Sequence, residues 1–182
     1  MGCNMLAKAV LASLCTGVLL GSAQLMADCK FVTGKITNNS AGPGEVLLGY
    51  DVSTAGIVEF AAKNPDPFSK LKCGIVGVVN PYVLPDEPDP DLEFLGPLPS
   101  FTHLISCEEH SQLKFDTHGK FTAFDFLTYT ASFVEHAVPI SDSGTGAFDG
   151  ATGDGELIIN GTFNLYTKEI DMKFGDESQI CK

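Results

Sequence analysis

Arginine and tryptophan are missing from this 182-residue chain altogether. Without a guanidinium fork, carboxylates and phosphates have only lysine and backbone amides to hold them. Positive charge is scarce in general: 11 lysines face 23 acids, for a formal net charge of −12. Nucleic acid is thereby excluded as a partner, because phosphate backbones need a basic stripe. An anionic membrane surface is repelled in the same way. Helix is lacking too, since no segment carries apolar residues at a 3.6-residue period for long enough to trust. Ser141 and Ser143 do not form Gly-x-Ser-x-Gly, which excludes the nucleophile elbow of the α/β-hydrolases.

What the chain does have begins with an apolar leader. Lys8 is the only charge before Asp28, residues 9–20 are apolar or small, and Leu25-Met26-Ala27 ends on a small residue. A short positive region, an apolar core and a small-residue exit describe a secretory signal peptide over residues 1–27, cleaved after Ala27. The core is shorter than the roughly 20 residues of a membrane span. The expectation is an exported protein, secreted or periplasmic, with no stable membrane insertion after cleavage. Residues 28–182 remain as one domain large enough for its own core.

Four cysteines lie in that remainder: Cys29, Cys73, Cys107 and Cys181. An even number in an exported chain implies two disulfides, with three connectivities open. Cys29–Cys181 would staple the two ends, as happens when first and last strands are neighbours in a closed sheet. Cys73–Cys107 would then enclose the segment at 80–100, which holds six prolines among Asp86, Glu87, Asp89, Asp91 and Glu93. Proline removes ladder donors, so this segment reads as an extended acidic surface loop.

The rest alternates. Phe31 to Thr37, Leu71 to Val79, Phe101 to Phe115, Glu156 to Tyr166 and Ile170 to Phe174 read as strands, and Val46 to Phe60 as one or two more. Asn38 to Gly44 reads as a turn cluster. Asp116-Thr117-His118-Gly119 reads as a hairpin turn, followed by one long strand over 121–134. Evenly spaced strands without helices predict an all-β fold, a single antiparallel barrel or sandwich.

Residues 143–155 hold five glycines at 144, 146, 150, 153 and 155. The run Gly144-Thr145-Gly146-Ala147-Phe148-Asp149-Gly150-Ala151-Thr152-Gly153, after a long strand and before Leu157 and Gly161, resembles the glycine-rich signature of the allene oxide cyclase-like and dirigent-like barrels. The similarity covers roughly residues 105–175. It implies a calycin-like barrel of about eight strands with an apolar cavity. It carries no activity across, because dirigent pockets use arginine and no catalytic residue can be matched.

For a site, the long strand points to Asp125, which shares a face with Ala123, Leu127, Tyr129 and Phe133. If that face lines the interior, the Asp125 carboxylate is desolvated and its pKa rises. The opposite phase would put Phe124 and Phe126 inside and Asp125 in water, since a one-residue slip flips every side chain. The expected ligand-binding set is Asp125 and Tyr129 with Phe121, Phe133 and Phe163. The ligand would be a small apolar molecule, fatty-acid-like or aromatic.

No cofactor and no metal is expected. His103 and Cys107 share a strand face while His110 points away and His118 sits in the expected turn, unlike a zinc site. Glu135-His136 reads as a loop position, adjacent strand residues pointing opposite ways. Three functions stay open: a ligand-binding barrel or interaction module, a cyclase- or isomerase-like enzyme using a cavity carboxylate, and a calcium-supported adhesion or matrix protein drawing on Asp142, Asp149 and Asp154.

Overall fold

Alternation of buried and exposed side chains runs through nearly every segment that the computed structural model describes, residues 28–40, 46–47, 50–51 and 54–182. The expected signal peptide, residues 1–27, lies outside the described residues. The alternation builds strands β1 (Cys29–Phe31), β2 (Gly34–Ser40), β3 (Val46–Leu47), β4 (Tyr50–Asp51), β5 (Thr54–Phe60) and β6 (Lys72–Val79). The second half of the chain adds β7 (Phe101–Cys107), β8 (Gln112–Asp125), β9 (Thr130–Pro139), β10 (Thr152–Asn164), β11 (Glu169–Phe174) and β12 (Gln179–Cys181). Among the described residues only two short 3-10 turns, Pro90–Leu95 and Gly146–Phe148, interrupt them.

The ladder runs β11-β2-β5-β6-β7-β8-β9, and β10 pairs with both β9 and β11. Eight antiparallel strands therefore close into a barrel, as the all-β reading expected. Closure leaves no free edge among those eight strands, which removes the usual template for aggregation. β12 pairs with β10 outside the closed ladder, and β1 pairs with β12. Cys29 is thus directly opposite Cys181, and the two are bonded. Cys73 is opposite Cys107 across β6 and β7 and forms the second disulfide. Both expected pairs are present.

The glycine-rich segment closes one end of this barrel. Gly146 and Gly150 have φ of 58° and 77°, a left-handed backbone that side chains with a Cβ resist. The resulting loop returns Thr145 to Gln112 through a backbone hydrogen bond of 2.9 Å. It also drives Phe148, fully buried, against the rings of Phe60 (5.9 Å) and Phe68 (5.7 Å). Burying one such ring stabilises by about 1.5–3 kcal/mol. Phe174 packs on Phe60 at 5.4 Å, while Leu113, Leu157, Ile105 and Val58 fill the adjoining layer. The segment that carries the family resemblance therefore works as a plug.

Four expectations about strands and turns are corrected. Asp116–Gly119 is no turn but the middle of β8, paired with Val138–Glu135 of β9. Gly119 is there for closeness: a Cβ on it would sit 2.1 Å from the Val134 carbonyl oxygen. The stretch 101–115 is two strands with a hairpin at 108–111, and 121–134 is likewise two, turning at 126–129. In that second turn Tyr129 takes φ of 52°, a left-handed backbone that glycine adopts more readily. Asn38, expected to open a turn cluster, is instead buried at 2% exposure within β2, which runs to Ser40; the rest of that expected cluster, residues 41–44, lies outside the described residues.

The proline-rich segment stays attached to the barrel wall. Asn80 Nδ2 donates to Thr102 Oγ1 (3.0 Å) and Asp116 Oδ1 (3.2 Å), and Leu98 and Ser100 are buried. Asp86 Oδ1 lies 2.9 Å from His118 Nδ1 on the outer face of β8.

Candidate functional site

Away from the Phe148 plug, the inward residues change character. β2 and β5 contribute Asn38 and Thr54; β7 contributes His103, β8 Thr117 and β9 Glu135, and all five are buried. Their neighbours inside are Phe133, also buried, and the partly buried Phe121, Phe163 and Ile170. A half-interior of polar groups walled by rings is costly unless the polar atoms find partners.

Several do not. Among the described residues, His103 Nδ1, Thr54 Oγ1 and Ser100 Oγ lack any hydrogen-bond partner. Thr117 makes only a long bond, its hydroxyl donating to the Phe101 carbonyl at 3.4 Å. Glu135 stands opposite Gly119 on one side and Ile159 on the other, with Phe133 and Ala137 the next inward residues of β9. Burial alone pushes its carboxyl up from 4.5 to about 7. At neutral pH this group is poised between a hydrogen-bond donor and a carboxylate.

His103 lies across Gly77. A Cβ on Gly77 would fall 2.6 Å from His103 Nε2 and 2.5 Å from Thr54 Oγ1, so the glycine leaves the ring its place. The imidazole stacks on Phe115 (5.3 Å) and meets Phe101 (5.4 Å). Burial lowers its pKa to about 4, partly offset by Asp116, so the ring is neutral at physiological pH. Gly77→Ala is expected to destabilise by about 1–3 kcal/mol through overpacking. A thermal melt checks this, and an unchanged midpoint would mean that the imidazole can move aside freely.

The set named from sequence divides. Phe121 and Phe163 pack against the core that includes Phe133: Phe121 is opposite Phe133, and the Phe133 ring covers Gly161, within 2.3 Å of where a Cβ would be. Asp125 and Tyr129 are outside it. Asp125 is the last residue of β8, and its carboxylate caps the following turn. The Leu127 N–H donates to Oδ1 (2.8 Å) and the Thr128 hydroxyl to Oδ2 (2.9 Å). Its pKa is lowered, chiefly by the Leu127 N–H and then by the Thr128 hydroxyl, where interior burial would have raised it. A register shift between Phe121 and Ala123 is the cause: one irregular residue inverts the phase beyond it. Tyr129 is 43% exposed on the same turn.

Glu135 is the functional candidate that sequence reasoning passed over. It belongs to β9, not to a loop, and continues the inward series Ala131, Phe133, Glu135, Ala137, Pro139. His136 points outward, with Nδ1 3.1 Å from Glu156 Oε1 and its ring stacked on His118 at 5.5 Å. On the barrel's outer surface an open groove of about 430 Å³ lies over Gly161, lined by Thr122, Ser132, Asn160 and Lys173 with Phe133 and Met172. Among the described residues no three His, Cys, Asp or Glu side chains gather as metal ligands would. Asp142, Asp149 and Asp154 accordingly form no ligand group. No family model, no curated protein and no solved structure matches this chain.

Proposed function

We propose that this is an exported binding protein that holds a small, largely apolar molecule in the half of the barrel around Glu135. Two disulfides and the apolar leader support export. The observation that carries the binding reading is a buried carboxyl on the inward face of β9, raised to about 7 by burial alone and next to the buried Phe133. A group in that position costs stability unless something else uses it. Phe121, Phe133 and Phe163 supply apolar wall, and Glu135 with His103 supplies the few polar atoms that orient a ligand.

The test is titration of an environment-sensitive fluorescent fatty acid at pH 6, where Glu135 is protonated and can donate to an oxygen of the ligand. Saturable binding by the wild type is expected. Glu135→Leu should weaken it about tenfold, the worth of one buried hydrogen bond. Asp125→Asn should leave it unchanged. Failure of the wild type to saturate would overturn the reading.

A second reading is favoured by the same carboxyl. A general acid–base works best with a pKa near the operating pH, and burial brings Glu135 there. An isomerase of the cyclase type would use Glu135 to move a proton on a bound apolar substrate. In that case Glu135→Gln would keep ligand binding and abolish turnover.

A further inference from the structure

Five rings and one leucine, drawn from three separate segments, form a ridge at the end of the barrel where β8 turns into β9. Phe94, from the 3-10 turn of the proline-rich segment, packs on Phe124 (5.4 Å) and Phe126 (5.8 Å). Phe124 meets Phe126 at 4.8 Å and Tyr129 at 6.5 Å, and Tyr129 meets Tyr166 at 4.7 Å. Water reaches most of it: Phe94 is 58% exposed, Phe126 68%, Tyr166 71% and Leu127 93%. Single exposed apolar residues are ordinary, whereas a contiguous apolar patch of this kind marks an interaction surface.

The charge around the ridge selects among occupants. Asp86, Glu87, Asp89, Asp91 and Glu93 precede Phe94 directly, and no lysine occurs between Lys72 and Lys114. Asp125 is the only charged residue between Phe121 and Val134. Lys168, in the turn after β10, has Nζ 5.6 Å from the Phe163 ring. Exposed aromatic faces bordered by carboxylates attract cations twice, through the ring quadrupole and through the acids. A second copy of this chain would bring acid against acid, and an anionic membrane is repelled for the same reason. We propose that the ridge docks a cationic, apolar segment of a partner protein.

A fluorescently labelled synthetic peptide of alternating leucine and lysine serves as probe, with binding followed by anisotropy. The wild type should bind it saturably, and more weakly as salt rises. Phe126→Ser with Leu127→Ser, at exposed positions that the fold does not depend on, should cost at least tenfold in affinity. Asp91→Asn with Glu93→Gln should cost several-fold and flatten the salt dependence. Asp176→Asn with Glu177→Gln, exposed acids outside the ridge segments, should change nothing. Equal losses in both acid pairs would reduce the effect to net charge and overturn the proposal, as would absence of saturable binding. A concentration-dependent dimer abolished by the Phe126/Leu127 variant would overturn it in favour of self-association. Sedimentation with phosphatidylcholine vesicles, lost in that variant, would do so in favour of a lipid surface.

Discussion

Replacing Cys29 and Cys181 together by serine is expected to lower stability by about 5 kcal/mol, the largest single effect in the molecule. The bond spans 152 residues of sequence, and the loop-closure entropy it removes from the unfolded chain grows with the logarithm of that span. The native state has little to lose by the change, because β1 remains paired with β12 through three register partners. For a domain of this size the melting midpoint should fall by roughly 10–20 °C. The Cys73–Cys107 bond, closing 34 residues, should be worth about 4 kcal/mol by the same reasoning. Circular dichroism melts of the two double variants give both values. A midpoint unmoved by loss of Cys29–Cys181 would mean that the unfolded chain is already compact near its ends.

The second large effect is a pH dependence hidden in the wild type. Folded Glu135 keeps its proton to about 7, whereas the unfolded chain releases it near 4.5. Between those values the folded state binds more protons, so stability falls as pH rises, by roughly 3 kcal/mol in all. His103 acts in the opposite direction. Its folded pKa of about 4 lies below the ordinary 6.5, so stability falls as pH drops through that window, by a similar amount. From pH 4.5 to 6.5 the two slopes oppose each other, and these groups leave the wild-type profile nearly flat. Glu135→Gln removes one of them. The variant should therefore gain stability as pH rises across that range and exceed the wild type by roughly 3 kcal/mol at pH 8, while matching it near pH 4. Denaturant titrations at four pH values measure this, and superimposable profiles would mean that Glu135 is solvated.

Barrel architecture was legible because alternation and glycine report directly on backbone and burial. Leu157, Ile159 and Phe163 alternate through β10 as read, and the end-to-end cysteine pairing followed from where Cys29 and Cys181 sit. The site was legible only in part, for two local reasons. Asp116-Thr117-His118-Gly119 has the composition of a turn, yet Gly119 serves a close backbone approach, a tertiary demand with no local signature. The true turn at 126–129 has no glycine; an aspartate side chain caps it and a tyrosine takes the left-handed position. With the turn misplaced and the irregularity near Thr122 unseen, phase was carried the wrong way to Asp125. The signal for Glu135 was nonetheless present: counted back from Pro139, an acid interrupts an otherwise apolar or small inward series.

Everything proposed for the interior depends on Glu135 being a desolvated acid in contact with whatever the barrel holds. The direct measurement is a carbon-detected NMR titration of the glutamate side-chain carboxyl resonances, with Glu135 assigned by its absence in Glu135→Gln. The Glu135 carbon should titrate with a midpoint near 7, and adding the fatty-acid probe should shift both its frequency and its midpoint. A midpoint near 4.5 that the probe leaves untouched would contradict the account.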